Sequence, residues 1–226
     1  MNNNAPDIVK RTLTNRPVGI SADCSNCLKG IFATCVLIHH LYQHSGLLHQ
    51  TVIEICLQAA GYLSVACFFF LSGYGLYASY QEEAERYVKN FLKRKIVPFY
   101  CLILLFTLIY YVEGILLGQV FPTEILIKSF TFGGTVIGNG WYLQVQLLLY
   151  VFFFVTFRVV KDSKQCIIWI FGECLLFCVF LYVLGYGSTW YESVFAFPIG
   201  MIWREIDHYT VEIKKNKFVC FIGGGN

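Results

Sequence analysis

The sequence predicts an all-α protein, a polytopic bundle of transmembrane helices. Hydrophobic residues make up 57% of the 226-residue chain and charged residues only 14%, whereas soluble globular domains are roughly 45–50% apolar. Apolar runs recur along the chain, most of them close to the length of about 20 residues that crosses the hydrocarbon of a bilayer. Since a water-soluble fold has no place for this excess of apolar surface, we expect it to face lipid.

Six complete spans are predicted, each flanked by polar or charged residues. They cover Gly30–Leu48, Ile55–Tyr77, Ile96–Leu117, Trp141–Val160, Cys166–Gly185 and Tyr191–Trp203. A seventh apolar run begins at Phe218 and stops within a few residues, so we expect a chain that is truncated at its C-terminus. The predicted organisation is a cytoplasmic N-terminal segment, residues 1–28, followed by an incomplete membrane domain, residues 29–226.

The positions of the basic residues predict the orientation. With the N-terminus in the cytoplasm, every lysine and arginine except Lys128 lies on the cytoplasmic side of these spans, as the positive-inside rule requires. Residues 1–28 contain no apolar segment of the kind found in a cleavable signal peptide. The net charge of +3 is small, which argues against a nucleic-acid partner and favours anionic lipid as the partner of these charges. The absence of organelle signals predicts a bacterial plasma membrane.

Cysteine usage gives no sign of a metal centre. Most of the ten cysteines fall in apolar runs, where a thiol behaves as a small hydrophobe. Cys24 and Cys27 form a C-x-x-C pair, but no second pair follows at metal-ligand spacing. We therefore predict no metal site and no bound cofactor.

Two connections between the spans have a distinctive composition. Tyr80–Lys95 carries apolar residues at helical spacing among charges, which predicts a helix lying along the inner membrane surface. The glycine-rich loop Thr131–Gly140 has the backbone freedom either to make a turn or to line a site.

Ionisable residues inside the spans are the candidates for function, because each costs about 2.5–3.5 kcal/mol on insertion scales. Lys29 and His40 are separated by ten residues, which places them on one face of a helix, about 16 Å apart along its axis. His44 follows His40 on the same face, whereas His39 lies about 100° around the helix.

Imidazole titrates near neutral pH, so His40 is a candidate general base for a hydroxyl. Lys29 is placed to hold an anionic phosphate or to reach the lipid headgroups. The alternative for each histidine is a hydrogen bond to a neighbouring helix. Glu173, near the middle of the fifth span, either orients a histidine or is protonated and serves as a structural donor. Gln144 and Gln146 are expected to bond between helices.

Five segments of the chain resemble a known family. "LKGIFATCVLIHH" resembles the first helix of the integral-membrane acyltransferases of the third acyltransferase family, where Arg or Lys, usually followed by Gly, precedes a His by eleven positions. Lys29, Gly30 and His40 fit that spacing. The segments "FFFLSGYGLY", "FLKRKIVPFY", "WYLQVQLLLY" and "FAFPIGMIW" are similar to later helices of the family and occur in the same order.

The chain also departs from the family pattern at two places. Asn26 stands where the family often has an acidic residue. In the Arg-x-x-Arg that often precedes the third helix, only Lys95 keeps its place, since Val97 stands where an arginine is expected.

The resemblance implies an enzyme, an O-acyltransferase that moves an acyl group, most often acetyl, from cytoplasmic acyl-CoA to a hydroxyl. The implied acceptor is a cell-surface carbohydrate, a glycolipid or a similar exported molecule, and residues 29–226 form the acyltransferase domain. The predicted catalytic residues are His40 and Glu173, and the predicted substrate-binding residues are Lys29, Arg94, Lys95, Trp141 and His44.

A transporter or flippase for a lipid-linked saccharide is the competing interpretation, with the same polar face as its pathway. Transporters commonly have inverted repeats and broken helices in matched positions, and the sequence has neither. An inactive fragment is the third alternative.

Overall fold

The computed structural model describes residues 19–45 and 51–223, with side chains described as far as Thr210. Every regular element in these ranges is helical, as predicted. The elements are α1 (Ala22–Ser45), α2 (Val52–Glu83), α3 (Glu85–Phe91), a π-helical segment (Leu92–Ile96), α4 (Val97–Leu116), α5 (Thr123–Phe130), α6 (Trp141–Val159), α7 (Ser163–Val183), a 3-10 turn (Ser188–Trp190) and α8 (Ala196–Gly223). Most of the predicted N-terminal segment, residues 1–18, lies outside the described residues, and α1 begins within its remainder.

Four helices are long and apolar enough to cross a membrane within the described ranges. They are Val52–Glu83, Glu85–Leu116, Trp141–Val159 and Ser163–Val183, and they correspond in order to the second to fifth predicted spans. Helix α1 covers most of the first predicted span, but it is not among the four. The predicted count of six spans is therefore not confirmed.

Helices α3 and α4 form one continuous rod through the π-helical segment. Within it the N–H of Val97 donates to the carbonyl of Leu92, one residue further back than in an α-helix. Pro98, in the first turn of α4, has no N–H for the preceding turn. A local π turn accommodates such a break in the ladder without ending the helix.

The predicted surface helix over Tyr80–Lys95 is wrong. Residues up to Glu83 continue α2, and the chain turns at Ala84, which has a φ of +50°. Tyr87 and Phe91 of α3 are buried in the protein core rather than directed at lipid, and the Phe91 ring lies 5.2 Å from that of Phe153 on α6. The apolar residues of this amphipathic segment therefore pack against protein.

The sixth predicted span also differs from the structure. Helix α8 begins at Ala196 and runs unbroken to Gly223, so it neither starts at Tyr191 nor ends at Trp203, and the run beginning at Phe218 continues the same helix. Polar residues after Trp203 have partners on α2: Tyr77 donates to the Glu205 carboxylate and Tyr74 to that of Asp207, each at 2.9 Å. Because the carboxylates of Glu205 and Asp207 have hydrogen-bond partners, these charged residues fit within α8 and do not end it.

Two glycines allow α2 and α8 to pack with their backbones close together. A Cβ on Gly73 would lie 2.8 Å from the carbonyl carbon of Phe197, and one on Gly200 would lie 2.9 Å from that of Phe70. Small residues at such crossings are typical of helices in lipid, where association depends on close packing rather than on hydrophobicity. The contact holds the C-terminal helix against α2.

Candidate functional site

The first candidate cavity, called the histidine cavity, lies where α1, α2, the loop before α6 and the start of α6 meet. It has a volume of about 270 Å³. Its polar lining includes His39, His40, Gln43 and Asn139, and its aromatic lining includes Tyr62, Phe68, Trp141 and Tyr142. The structure therefore places two predicted site residues, His40 and Trp141, in one cavity.

His40 is partly exposed to this cavity and has two polar neighbours. Its Nδ1 lies 3.2 Å from Gln43 Oε1 and 3.3 Å from Asn139 Nδ2. The amide oxygen of Gln43 accepts a hydrogen bond when Nδ1 carries the proton, whereas the amide nitrogen of Asn139 donates one to an unprotonated Nδ1, so the two contacts favour opposite tautomers. Sequence reasoning missed Asn139, although the glycine-rich loop that carries it was recognised as a possible site wall.

His39 has a more enclosed environment than its neighbour. It is buried, and its Nδ1 lies 3.0 Å from the carbonyl oxygen of Leu57 on α2. A carbonyl only accepts, so Nδ1 carries the proton in the neutral ring. Gly61 makes room for this ring, since a Cβ there would lie 2.7 Å from Nδ1. The predicted alternative for the histidines, a hydrogen bond to a neighbouring helix, is what the structure has for His39.

The second candidate cavity, called the basic cavity, lies at the other end of α1 and has a volume of about 590 Å³. Lys29 of α1, Lys95 of the π-helical segment and Arg204 of α8 line it together. Burial, and then the nearby charge of Lys95, lower the pKa of Lys29. One carboxylate, that of Glu82, also lines this cavity. Among the described lining residues, cations outnumber carboxylates, which makes the cavity suited to an anion.

Arg204 is the site residue that sequence reasoning missed at this end. It is 8% exposed, its Nε donates to Gln81 Oε1 at 2.9 Å, and its guanidinium lies 5.7 Å from the centre of the Tyr74 ring. The sequence had assigned it to lipid anchoring, as one of many basic residues next to an apolar run. Its burial distinguishes it from the other basic residues that the structure describes, and its partners Gln81 and Tyr74 lie on α2.

Three predicted site residues, Arg94, His44 and Glu173, lie outside both cavities. Arg94 is largely exposed, and its Nη1 lies 3.7 Å from the Glu83 carboxylate. His44 is exposed near the end of α1 and is not among the lining residues of the histidine cavity. The structure thus brings Lys29 together with Lys95, and His40 together with Trp141, but adds neither Arg94 nor His44 to them.

Glu173 on α7 has a partner of its own. Its Oε1 accepts a hydrogen bond from Thr156 Oγ1 of α6 at 2.7 Å, while its buried Oε2 has no hydrogen-bond partner among the described residues. It lines neither of the two cavities. No described histidine pairs with Glu173, and the contact seen is an interhelical one with Thr156.

The two glutamines of α6 have different partners. Gln146 donates to Ser72 Oγ of α2 at 3.1 Å, which confirms the predicted bond between helices. Gln144 instead holds the glycine-rich loop: its Nε2 donates to the carbonyls of Lys128 and Gly134, each at 2.8 Å, and its Oε1 accepts from the N–H of Gly133 at 3.1 Å. Gln144 thereby fixes the loop that carries Asn139.

Metal chemistry has no candidate ligand set in the described part of the chain. No group of three or more His, Cys, Asp and Glu side chains is close enough together to hold an ion there. Cys24 and Cys27 are exposed free thiols on the first turns of α1.

Four helices long and apolar enough to cross a membrane indicate a helical membrane protein, and its two polar cavities are the candidate sites. A family model described as an acyltransferase domain, that of the third acyltransferase family, matches residues 23–225, and the chain belongs to this family. It is accordingly a membrane-bound acyltransferase, as the resemblance of its first helix predicted. No curated protein matches the chain significantly, and no solved structure does.

Proposed function

We propose that this protein transfers an acyl group, acetyl in the first instance, from acyl-CoA to a hydroxyl of a cell-surface carbohydrate or similar exported molecule. The observation that carries the proposal is the arrangement of α1. One face of this helix presents Lys29 to the basic cavity and His40 to the histidine cavity, at a separation of about 16 Å along the axis. A cation for the phosphates of the donor and a candidate general base thus lie on the same helix.

The basic cavity is the proposed donor site. The CoA moiety carries phosphates, and Lys29 and Lys95 supply ammonium groups that form charge-assisted hydrogen bonds with them. Arg204 adds a guanidinium whose planar donors suit phosphate oxygens. Arg94 was also predicted to bind phosphate, and joining this site would require it to leave its ion pair with Glu83.

The histidine cavity is the proposed site of chemistry. His40 Nε2 takes the proton of the acceptor hydroxyl as its oxygen attacks the thioester carbonyl, the C–S bond breaks, and the thiolate then takes the proton from the imidazolium. This role requires the tautomer with the proton on Nδ1, which Gln43 Oε1 stabilises as acceptor. Trp141 supplies an aromatic wall of the kind on which a sugar ring packs.

The proposed location is a bacterial plasma membrane, crossed several times, with the N-terminus in the cytoplasm. In that orientation the basic cavity faces the compartment that holds acyl-CoA, and the histidine cavity faces the exported acceptor. The distribution of lysine and arginine along the sequence supports this orientation.

The test is acetyl transfer in membranes that contain the full 226-residue chain, with radiolabelled acetyl-CoA as donor and cell-envelope glycans as acceptor. Labelled glycan is expected with the unmodified chain and is expected to fall at least about 100-fold in His40→Ala. His208→Ala is the matched control, because this histidine is exposed near the opposite end of the bundle. Transport of a lipid-linked saccharide without hydrolysis or transfer of the acyl group would instead favour the flippase interpretation.

A further inference from the structure

A row of polar side chains leads from the basic cavity into the contact between α2 and α6. This row, called the polar seam, consists of Gln146, Ser72 and Tyr150. Gln146 Nε2 donates to Ser72 Oγ at 3.1 Å, and Ser72 Oγ donates to the hydroxyl oxygen of Tyr150 at 3.3 Å. Polar groups at this depth in a membrane bundle are expensive unless they have partners or a function.

The direction of these hydrogen bonds leaves one donor available. Ser72 has a single hydroxyl proton, which it gives to Tyr150, so the Tyr150 proton does not return to Ser72. No described residue accepts that proton, and both Ser72 and Tyr150 line the basic cavity. Because each bond in such a chain polarises the next, the terminal O–H is a stronger donor than an isolated tyrosine.

A second tyrosine hydroxyl lies in the same wall of the basic cavity. Tyr87 is 6% exposed and lines the cavity, and its buried hydroxyl lacks a hydrogen bond of ordinary geometry, although the Ser79 side chain is close. A buried hydroxyl without a partner is unfavourable, because it has lost its hydrogen bonds to water. Both Tyr87 and Tyr150 thus have unused hydrogen-bonding capacity in the lining of a cavity.

The polar seam extends from the basic cavity towards the histidine cavity. Tyr142, Gln146 and Tyr150 follow one another at four-residue intervals on one face of α6, about 6 Å apart. Tyr142 lines the histidine cavity, and its ring lies 5.9 Å from that of Phe68, which lines it as well. The Phe68–Tyr142 pair therefore marks the boundary where the seam reaches the chamber of His40.

We propose that the polar seam binds the pantetheine arm of the acyl donor, with the Tyr150 hydroxyl donating to an amide carbonyl of that arm. The inference rests on the proposed acyl-CoA donor. An arm with two amides needs donors and acceptors along its path, and the seam supplies them between the lysines that take the phosphates and the histidine that takes the proton. Tyr150 is the binding residue, and Ser72 and Gln146 position its hydroxyl.

Binding measurements with three probes separate the arm from the phosphates. The full chain in detergent is titrated with CoA, which has both parts, with adenosine bisphosphate, which has only the phosphates, and with pantetheine, which has only the arm. Tyr150→Phe removes one oxygen and is expected to weaken CoA and pantetheine by about 3- to 10-fold, while the affinity for adenosine bisphosphate stays the same. Lys29→Ala is expected to weaken CoA and adenosine bisphosphate but not pantetheine.

Tyr77→Phe is the matched control, because Tyr77 is a buried tyrosine of α2 whose hydroxyl donates to Glu205 and does not line the basic cavity. Its three affinities are expected to remain those of the unmodified chain. A Tyr150→Phe protein that binds pantetheine as well as the unmodified chain does, or that loses affinity for all three probes equally, would overturn the assignment of the seam. An unmodified chain that binds none of the probes would overturn the proposed donor itself.

Discussion

Replacing Gly73 by alanine tests whether the close contact of α2 and α8 holds the C-terminal helix in place. A Cβ at this position would lie 2.8 Å from the Phe197 carbonyl carbon and closer still to its oxygen. Ordinary van der Waals contact begins at 3.4 Å, so the two backbones must separate by about 0.6 Å or more. No flexible side chain is available to absorb this shift, because the clashing atoms belong to the backbone.

Two opposing terms decide the magnitude. Alanine is preferred over glycine inside a helix by about 0.5–1 kcal/mol, whereas overpacking a tight contact costs about 1–3 kcal/mol. A backbone collision falls at the upper end of that range, so we expect Gly73→Ala to lower the free energy of unfolding by about 2 kcal/mol. Gly200→Ala is expected to act similarly, since its Cβ would lie 2.9 Å from the Phe70 carbonyl carbon.

Unfolding in mixed micelles, followed by helical circular dichroism as sodium dodecyl sulfate is increased, measures both variants. Gly75→Ala is the control on the same helix, because a Cβ there meets no atom within 4 Å, and it is expected to gain up to about 1 kcal/mol. The double variant at Gly73 and Gly200 should lose less than the two single losses combined, because the first substitution already separates the helices.

The reasoning is refuted if Gly73→Ala is as stable as Gly75→Ala. Strict additivity of the Gly73 and Gly200 losses would also contradict it, since the two collisions would then not share one interface.

The remaining predictions concern the two cavities and their supports. His40→Ala should reduce acetyl transfer at least about 100-fold with little change in stability. His39→Ala loses the hydrogen bond to Leu57, so it should lower the free energy of unfolding by about 1–3 kcal/mol and keep the transfer rate per folded molecule. Loss of transfer in His39→Ala but not in His40→Ala would contradict the assignment. CoA affinity, measured by calorimetry, should fall as pH rises through the lowered pKa of Lys29, because the neutral amine cannot hold phosphate. A fall that begins only at the pH where an ordinary lysine loses its proton would contradict this. Gln144→Leu leaves the carbonyls of Lys128 and Gly134 without their side-chain donor, so it should lower the free energy of unfolding by about 2 kcal/mol and speed proteolysis in residues 131–140. Unchanged proteolysis would show that the loop does not depend on Gln144. Glu173→Gln keeps an oxygen that can accept the bond from Thr156, so the transfer rate should not change. A large fall in the transfer rate would favour the predicted catalytic role of Glu173.

Much of the site within a single helix could be predicted from sequence. Helical periodicity is a local property, so the spacing of Lys29 and His40 was enough to place them on one face of α1 at opposite ends. The apolar excess likewise sets the class of fold, because such a chain must bury its backbone hydrogen bonds in helices when its side chains meet lipid.

Which groups from different helices meet depends on how the helices pack against one another. Lys95 joins Lys29 in the basic cavity while Arg94, its neighbour in sequence, points to Glu83. Arg204 lines the same cavity because α8 packs against α2. Glu173 accepts its hydrogen bond from Thr156 and not from a described histidine.

Hydrophobicity specifies which residues avoid water, but it does not specify which helix packs against which. Inside lipid, partners are selected by close contacts at small residues and by individual hydrogen bonds. Gly73 and Gly200 set one such contact, and Gln146 with Ser72 sets another. The apolar runs and the spacing of Lys29 and His40 were enough to predict a helical membrane protein, and the resemblance of its motifs predicted an acyltransferase. The packing of α2, α6 and α8 determined the two cavities and the polar seam beside them.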